Sequence, residues 1–192
     1  CGSIHGSIGA ALQVAAGLSE PEIEKVILDI PYTAPLILIH HRPTTPMAAK
    51  FSLEYCVATA LLHGRVALGQ FTEHAVNQSP VQALLQRVSY RVPDEWKKGA
   101  GQWNMANARI EVHMKDGSIR RATNSVRKGD AIIAPLSAEE LEAKFMDCAG
   151  VVLNRAAAGE LFKLLQEFDR IDNIRLLTEH LSLRHRRGQA QL

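Results

Sequence analysis

An α+β fold, a mixed or antiparallel sheet packed by several helices, is predicted by three features of the sequence. Ala108 to Lys115 places Ile110, Val112 and Met114 at alternate positions, Asp116-Gly117 supplies a tight turn, and Ser118 to Val126 returns, which is a hairpin pattern near residues 108–126. Other segments carry apolar residues at helical spacing behind Thr-Pro, Ser-Pro or Ser-x-x-Glu starts. The two kinds of signal are interspersed without a sustained β-α-β rhythm, and no internal repeat is visible.

The elements follow in order. Small apolar residues from Ile4 to Ala16, with Gly17 where a helix would stop, predict a short packed helix. Ser19, Pro21 and Glu22 form a capped turn into a strand through Val26, Leu28 and Ile30. After the break from Pro31 to Pro35, the aliphatic run Leu36–Ile39 reads as a second strand, ending at His40-His41-Arg42-Pro43. Thr45 as N-cap and Pro46 at the first helical position open a helix of about five turns. Its periodic face is Met47, Phe51, Tyr55, Ala58 and Leu62, and Gly64 closes it.

Ser79-Pro80 starts a short helix through Leu85, and Val88–Val92 is a strand stopped by Pro93. Pro93 to Asn107, with Trp96, Gly99, Gly101 and Trp103, has the composition of an exposed loop. Three helices are expected beyond the hairpin. The first runs from the Ser137/Glu140 capping box to about Cys148 with Leu141 and Phe145 on one face, and the others span 156–168 and 174–181.

Composition bounds the function. The chain has 192 residues, 46% of them hydrophobic, with 22 Lys+Arg against 20 Asp+Glu, so it suits one soluble domain or two small ones. A net charge of +2 with dispersed basic residues calls for no nucleic-acid partner, and Arg184-His185-Arg186-Arg187 reads as a solubilising tail. The apolar runs are shorter than the ~20 residues of a membrane-spanning helix, and the first residues lack the form of a signal peptide. Cys1, Cys56 and Cys148 show no C-x-x-C spacing, which points away from disulfides and metal clusters and toward a reducing, cytoplasmic compartment. Without an initiator Met, the chain is expected to follow a cut or to lie within a larger product.

Few residues carry chemistry by pattern alone. His40 and His41 are adjacent, so on a strand they point to opposite faces and cannot share a metal; no metal site is expected. Cys1 with a free α-amine admits an N-terminal-cysteine hydrolase reading, although such enzymes open on strands and this segment is helix-patterned. Lys50 and Glu54 stand four residues apart on the Thr45 helix, able to pair, while Lys50 near the helix start could instead meet an anion.

The stretch His41-Arg-Pro-Thr-Thr-Pro-Met-Ala-Ala-Lys-Phe-Ser-Leu-Glu-Tyr-Cys-Val-Ala-Thr-Ala-Leu-Leu-His-Gly64 resembles the MmgE/PrpD (2-methylcitrate dehydratase) family. Phe71, Val81–Val88, Lys115-Asp-Gly117, Lys128-Gly-Asp130, Pro135-Leu-Ser137 and Glu142-Ala-Lys-Phe145 occur in the order of that family's C-terminal domain, and Cys1-Gly-Ser-Ile-His5 is similar to the end of its Lys-Pro-Tyr-Pro-x-Cys-x-x-x-His segment. The resemblance covers about 180 residues and implies an α+β lid domain over residues 1–183, a polar tail at 184–192, and an N-terminal all-helical domain absent from this chain.

By that resemblance, the chain is the lid half of a cofactor-independent lyase or isomerase, with no metal or iron–sulfur cluster, a small polycarboxylate as substrate and a homodimer as assembly. The active site lies between the two domains, so the chain alone is expected to be inactive. A base removes a proton beside a carboxylate while cationic groups hold the acid. The matching positions assign catalysis to Cys1 and His5 and substrate binding to Arg42 and Lys50. Family activities include 2-methylcitrate dehydration, cis-aconitate decarboxylation and iminodisuccinate epimerisation. Decarboxylation is disfavoured, because Ile39 stands where cis-aconitate decarboxylases have an active-site tyrosine and Cys1 where they have a histidine. Another alternative is a non-catalytic assembly domain.

Overall fold

A computed structural model describes residues 1–99 and 104–180, so Trp103 and the expected tail at 184–192 lie outside the described residues. The chain forms two compact units, Cys1–Pro135 and Leu136–Leu192.

In the first unit, β1 (Ile23–Asp29), β2 (Val88–Arg91), β3 (Ala108–Met114) and β4 (Ile119–Asn124) form one mixed sheet in the order β2-β1-β3-β4. The expected hairpin is β3–β4, antiparallel, with Ile110 opposite Ala122 and Gly117 at φ 84° in the turn. Only glycine adopts that backbone freely. β1 is antiparallel to β3, with Leu28 opposite Ile110, and parallel to β2, with Val26 opposite Val88. Parallel strands cannot be joined by a tight turn, and here the long connection from Ile30 to Arg87 carries helices.

Alternation in β3 buries Ala108, Ile110, Val112 and Met114 on one face of the sheet. That face is covered by α1 (His5–Val14), packed on β3 and β4, and by helices of the β1–β2 connection. These are the short α2 (Ala34–Ile37) and α3 (Pro46–Ala49), then α4 (Leu53–His63), α5 (Glu73–Val76) and α6 (Ser79–Leu85). Every residue from Leu53 to Leu61 is buried, so α4 is the central helix of the core, flanked by α1 and α6.

Two expectations are corrected. The Leu36–Ile39 run is not a strand: Pro35 sits in the first turn of α2, where its fixed φ and missing N–H suit a helix start. Leu36 (72% exposed) and Ile39 (61%) face outward while Leu38 is buried. The Thr45–Leu62 segment is two helices, not one. Thr45 Oγ1 caps α3 by accepting from the Ala48 N–H at 3.4 Å, but Ser52 then takes extended backbone and its Oγ accepts from the Tyr55 N–H at 3.2 Å. A second N-cap begins a second helix, and Gly64 at φ 63° ends it.

The expected exposed loop after Pro93 also differs in part, because Trp96 is 8% exposed and the Arg109 guanidinium lies over its ring, 4.5 Å from the centroid.

The second unit is helical. α7 (Ala138–Ala149) opens with the expected capping box, Ser137 Oγ accepting from the Glu140 N–H and the Ser137 N–H donating to Glu140 Oε2 at 2.8 Å. α8 (Arg155–Gln166) is capped by Asn154, and α9 spans Arg175–His180. Leu153, Ala157, Ala158 and Leu161 form its core with Phe145 and Met146 around them, whereas Leu141 is exposed. No helix among the described residues is long and apolar enough to cross a membrane.

Candidate functional site

The N-terminal segment is held by small residues. Gly2–Ile4 form a 3-10 turn in which the Ile4 N–H donates to the Cys1 carbonyl at 3.2 Å, and α1 follows at once. Ser3, Ile4, Gly6 and Ser7 are buried, while Cys1 and His5 are exposed. Gly6 lies so close to the Ala106 carbonyl that a β-carbon there would be 2.2 Å from its oxygen. That approach fixes the start of α1 against the strand entering β3.

His5 lines a cavity of about 420 Å³ with Ile8, Gly9 and Leu12 of α1, Val66 after α4, and Asn124, Val126 and Lys128. The volume falls in the ~300–1,000 Å³ range of small-molecule pockets. Its walls are mainly aliphatic; among the described residues its polar groups are one imidazole, one amide and one ammonium, with no carboxylate in the lining. Asn124 is fixed at the end of β4, its amide donating to the Ala106 carbonyl at 3.1 Å and the Val126 carbonyl at 2.6 Å. Gly9 leaves room for it, since a β-carbon there would come within 2.8 Å of Asn124 Oδ1.

Of the residues expected at a site, His5 lies in this cavity and Cys1 one turn before it, outside the lining. Arg42 and Lys50 are not in the lining either. Arg42 is exposed and donates to the Leu85 carbonyl at 3.4 Å, tying the segment before α3 to α6; Lys50 is half-buried at the end of α3. Lys50 does not pair with Glu54, because the break at Ser52 separates them into different helices. Glu54 is buried and instead contacts His41 Nδ1 at 2.8 Å, and His41 stacks on Tyr90. Val66, Asn124, Val126 and Lys128 were not identified as site residues from sequence; they reach the cavity by tertiary folding, and only Lys128 lay in a quoted motif.

A second polar cluster sits on the sheet face away from α1 and α4. Asp29 accepts from Arg91 Nε and, at 2.9 Å, from Arg109 Nε, while Arg109 Nη2 also donates to Glu95 at 2.6 Å. Glu111 accepts from Arg121 at 3.0 Å and meets His113 at 3.1 Å; Arg121 and His113 hold its carboxyl below the ordinary range. Each of these arginines already has a carboxylate, so the cluster neutralises itself and pins the Trp96 turn to the sheet. Among the described residues, no group of three or more His, Cys, Asp or Glu is placed to hold a metal ion.

The MmgE/PrpD C-terminal domain model matches residues 1–170. The chain belongs to the MmgE/PrpD family. Among curated relatives, cis-aconitate decarboxylase of Homo sapiens is 26% identical over 156 residues, 81% of this chain and 31% of that protein. The Mus musculus enzyme of the same name is 25% identical, over 92% of this chain and 37% of its own length. That of Aspergillus terreus is 28% identical, over 73% and 28%. The chain therefore spans about a third of the length of the relatives it matches.

Proposed function

We propose that the chain is the lid part of a cofactor-independent MmgE/PrpD lyase acting on a small polycarboxylate, with the rest of the active site supplied by a helical domain. The cavity at His5 carries this reading: an imidazole, an amide and an ammonium on aliphatic walls, with no carboxylate among the described lining residues, suit a multiply charged anion. His5 is the acid/base group from this side, since an imidazole exchanges protons near neutrality. Removal of a proton beside a substrate carboxylate builds enolate-like charge, and departure of the β-hydroxyl with a proton from a general acid forms the double bond. Cys1, one turn from His5, is the second group assigned to the reacting end; Arg42 and Lys50 lie outside the cavity lining, so their substrate-binding role rests on the matching motif positions alone.

Dehydration of a 2-methylcitrate-like acid is the first reading, on the strength of Ile39 in place of the decarboxylase tyrosine. Decarboxylation of cis-aconitate is the second, favoured by the names of the matched relatives. The complete natural polypeptide, incubated with each acid and followed by chromatography of the products, separates the two. Turnover or binding of neither acid would overturn the lyase reading. An unchanged rate for His5→Ala with an altered oligomer size would assign the domain to assembly instead.

A further inference from the structure

We propose that the outward face of the α2–α3 segment, formed by Leu36, Ile37, Ile39, Met47 and Phe51, is the seat on which a further domain of the same polypeptide docks through an uncharged, apolar helix face. This inference rests on the reading that a helical domain completes the active site, and adds the surface that receives it. All five side chains are large, apolar and open to solvent, Leu36 at 72%, Met47 at 65% and Ile39 at 61%. Residues 33–39 and 43–49 contain no ionisable side chain; charge returns at His40, His41 and Arg42 and at Lys50. A centre depleted of charge is the compositional mark of a docking surface.

The segment is anchored from beneath. Ala34, Leu38, Pro43 and Ala49 are buried. The Gln82 amide donates to the Pro43 carbonyl and the Asn77 amide to the Thr44 carbonyl, each at 3.0 Å, and the His40 N–H donates to the Phe51 carbonyl at 3.4 Å, closing Ile39 against the α3–α4 junction. The apolar side chains are therefore held outward on a fixed backbone, which lowers the cost of covering them.

Two quantities select the occupant. The exposed fractions amount to roughly 500 Å² of apolar surface, at the upper end of what a monomer carries and short of the ~800 Å² per partner of a free-standing dimer. That area does suffice for one side of the ~600–1,500 Å² contacts between domains of one chain, where the tether supplies a high effective concentration. The chain also spans about a third of its relatives, which leaves about two thirds of their length to form such a domain. Because α2 packs on the Gly2–Ile4 turn, a domain seated here lies beside Cys1.

The test uses the complete natural polypeptide and dilute hydrogen peroxide, which converts accessible methionine to its sulfoxide, with peptide mass spectrometry reading the rate at each position. A seated domain should slow oxidation of Met47 about tenfold or more against the same protein unfolded in urea, to the pace of the buried Met114 and independently of protein concentration. Leu36→Asp forces an unpaired charge into the contact and should return Met47 to within about twofold of its unfolded rate, whereas Leu36→Ile should leave it protected. Leu36 is exposed in this domain, so both variants are expected to fold, which circular dichroism checks. Met47 oxidised at the unfolded rate in wild type, or protected equally in wild type and folded Leu36→Asp, overturns this inference. Protection that vanishes on dilution assigns the face to a second copy and overturns it too. Turnover of 2-methylcitrate or cis-aconitate by the same preparation is scored separately: turnover with Met47 unprotected leaves the polycarboxylate reading standing, and protection without turnover or binding of either acid removes that reading while the seat remains.

Discussion

Replacing Gly6 by Ala is the most direct probe of how the start of α1 is seated. The new methyl would stand 2.2 Å from the Ala106 carbonyl oxygen, 2.7 Å from the carbonyl carbon and 3.0 Å from Cα. Relief requires backbone to move by roughly 1 Å, which puts the penalty at the upper end of the ~1–3 kcal/mol typical of overpacking. The same carbonyl accepts from the Asn124 amide, and losing that bond adds about 1 kcal/mol. Helix propensity returns about 1 kcal/mol in favour of Ala. The net expectation is a destabilisation of about 3 kcal/mol, or a fall in Tm of roughly 6–12 °C for a chain of this size. Thermal melts followed by tryptophan emission report on it, because Trp96 is buried in the same unit. Gly159→Ala in α8 is the control: nothing lies within 4 Å of its β-carbon, so the substitution should stabilise by up to about 1 kcal/mol. A Gly6→Ala protein as stable as wild type would refute the close packing of α1 on Ala106.

Two further predictions concern titratable groups. Burial pushes the Cys56 thiol up to about 12, whereas Cys1 and Cys148 are exposed; a thiol reagent at mildly alkaline pH should label Cys1 and Cys148 in the native protein and Cys56 only after denaturation, and rapid native labelling of Cys56 would contradict its place in the core. Arg121 first, and then His113, hold the Glu111 carboxyl below its ordinary 4.5. The stability contributed by that pairing is complete above the ordinary carboxylate range and disappears as pH falls from 4.5 through the lower folded value, so Tm between neutrality and about pH 3 should drop less steeply for Glu111→Gln than for wild type.

Much of the fold was legible because local rules and tertiary demands agree. Asp116-Gly117 between alternating strands has one ready solution, and the Ser137/Glu140 box is satisfied by its own backbone. Errors fell where neighbours in space decide. Leu36–Ile39 has the composition of a strand, yet Pro35 starts a turn there and no sheet edge receives it. Apolar spacing runs unbroken across Ser52, so the second N-cap was invisible to periodicity, and with it the exchange of Lys50 for His41 as the neighbour of Glu54. Of the residues lining the candidate cavity, His5 is one that a sequence motif names, whereas Val66 and Asn124 join it from distant parts of the chain, and no spacing rule connects them.

The place of β1 in the sheet has a consequence for how the molecule is built during synthesis. Its bonding partners are β2 and β3, both made long after it, and Val26 and Leu28 can be sealed only when Val88 and Ile110 have emerged. Until then the first strand is a sticky, two-edged ribbon, and closing it means drawing together distant stretches of chain, which is slow. Until Ala108 has left the ribosome β1 lacks its antiparallel neighbour, and only once Asn124 is clear of it can all four strands zip together.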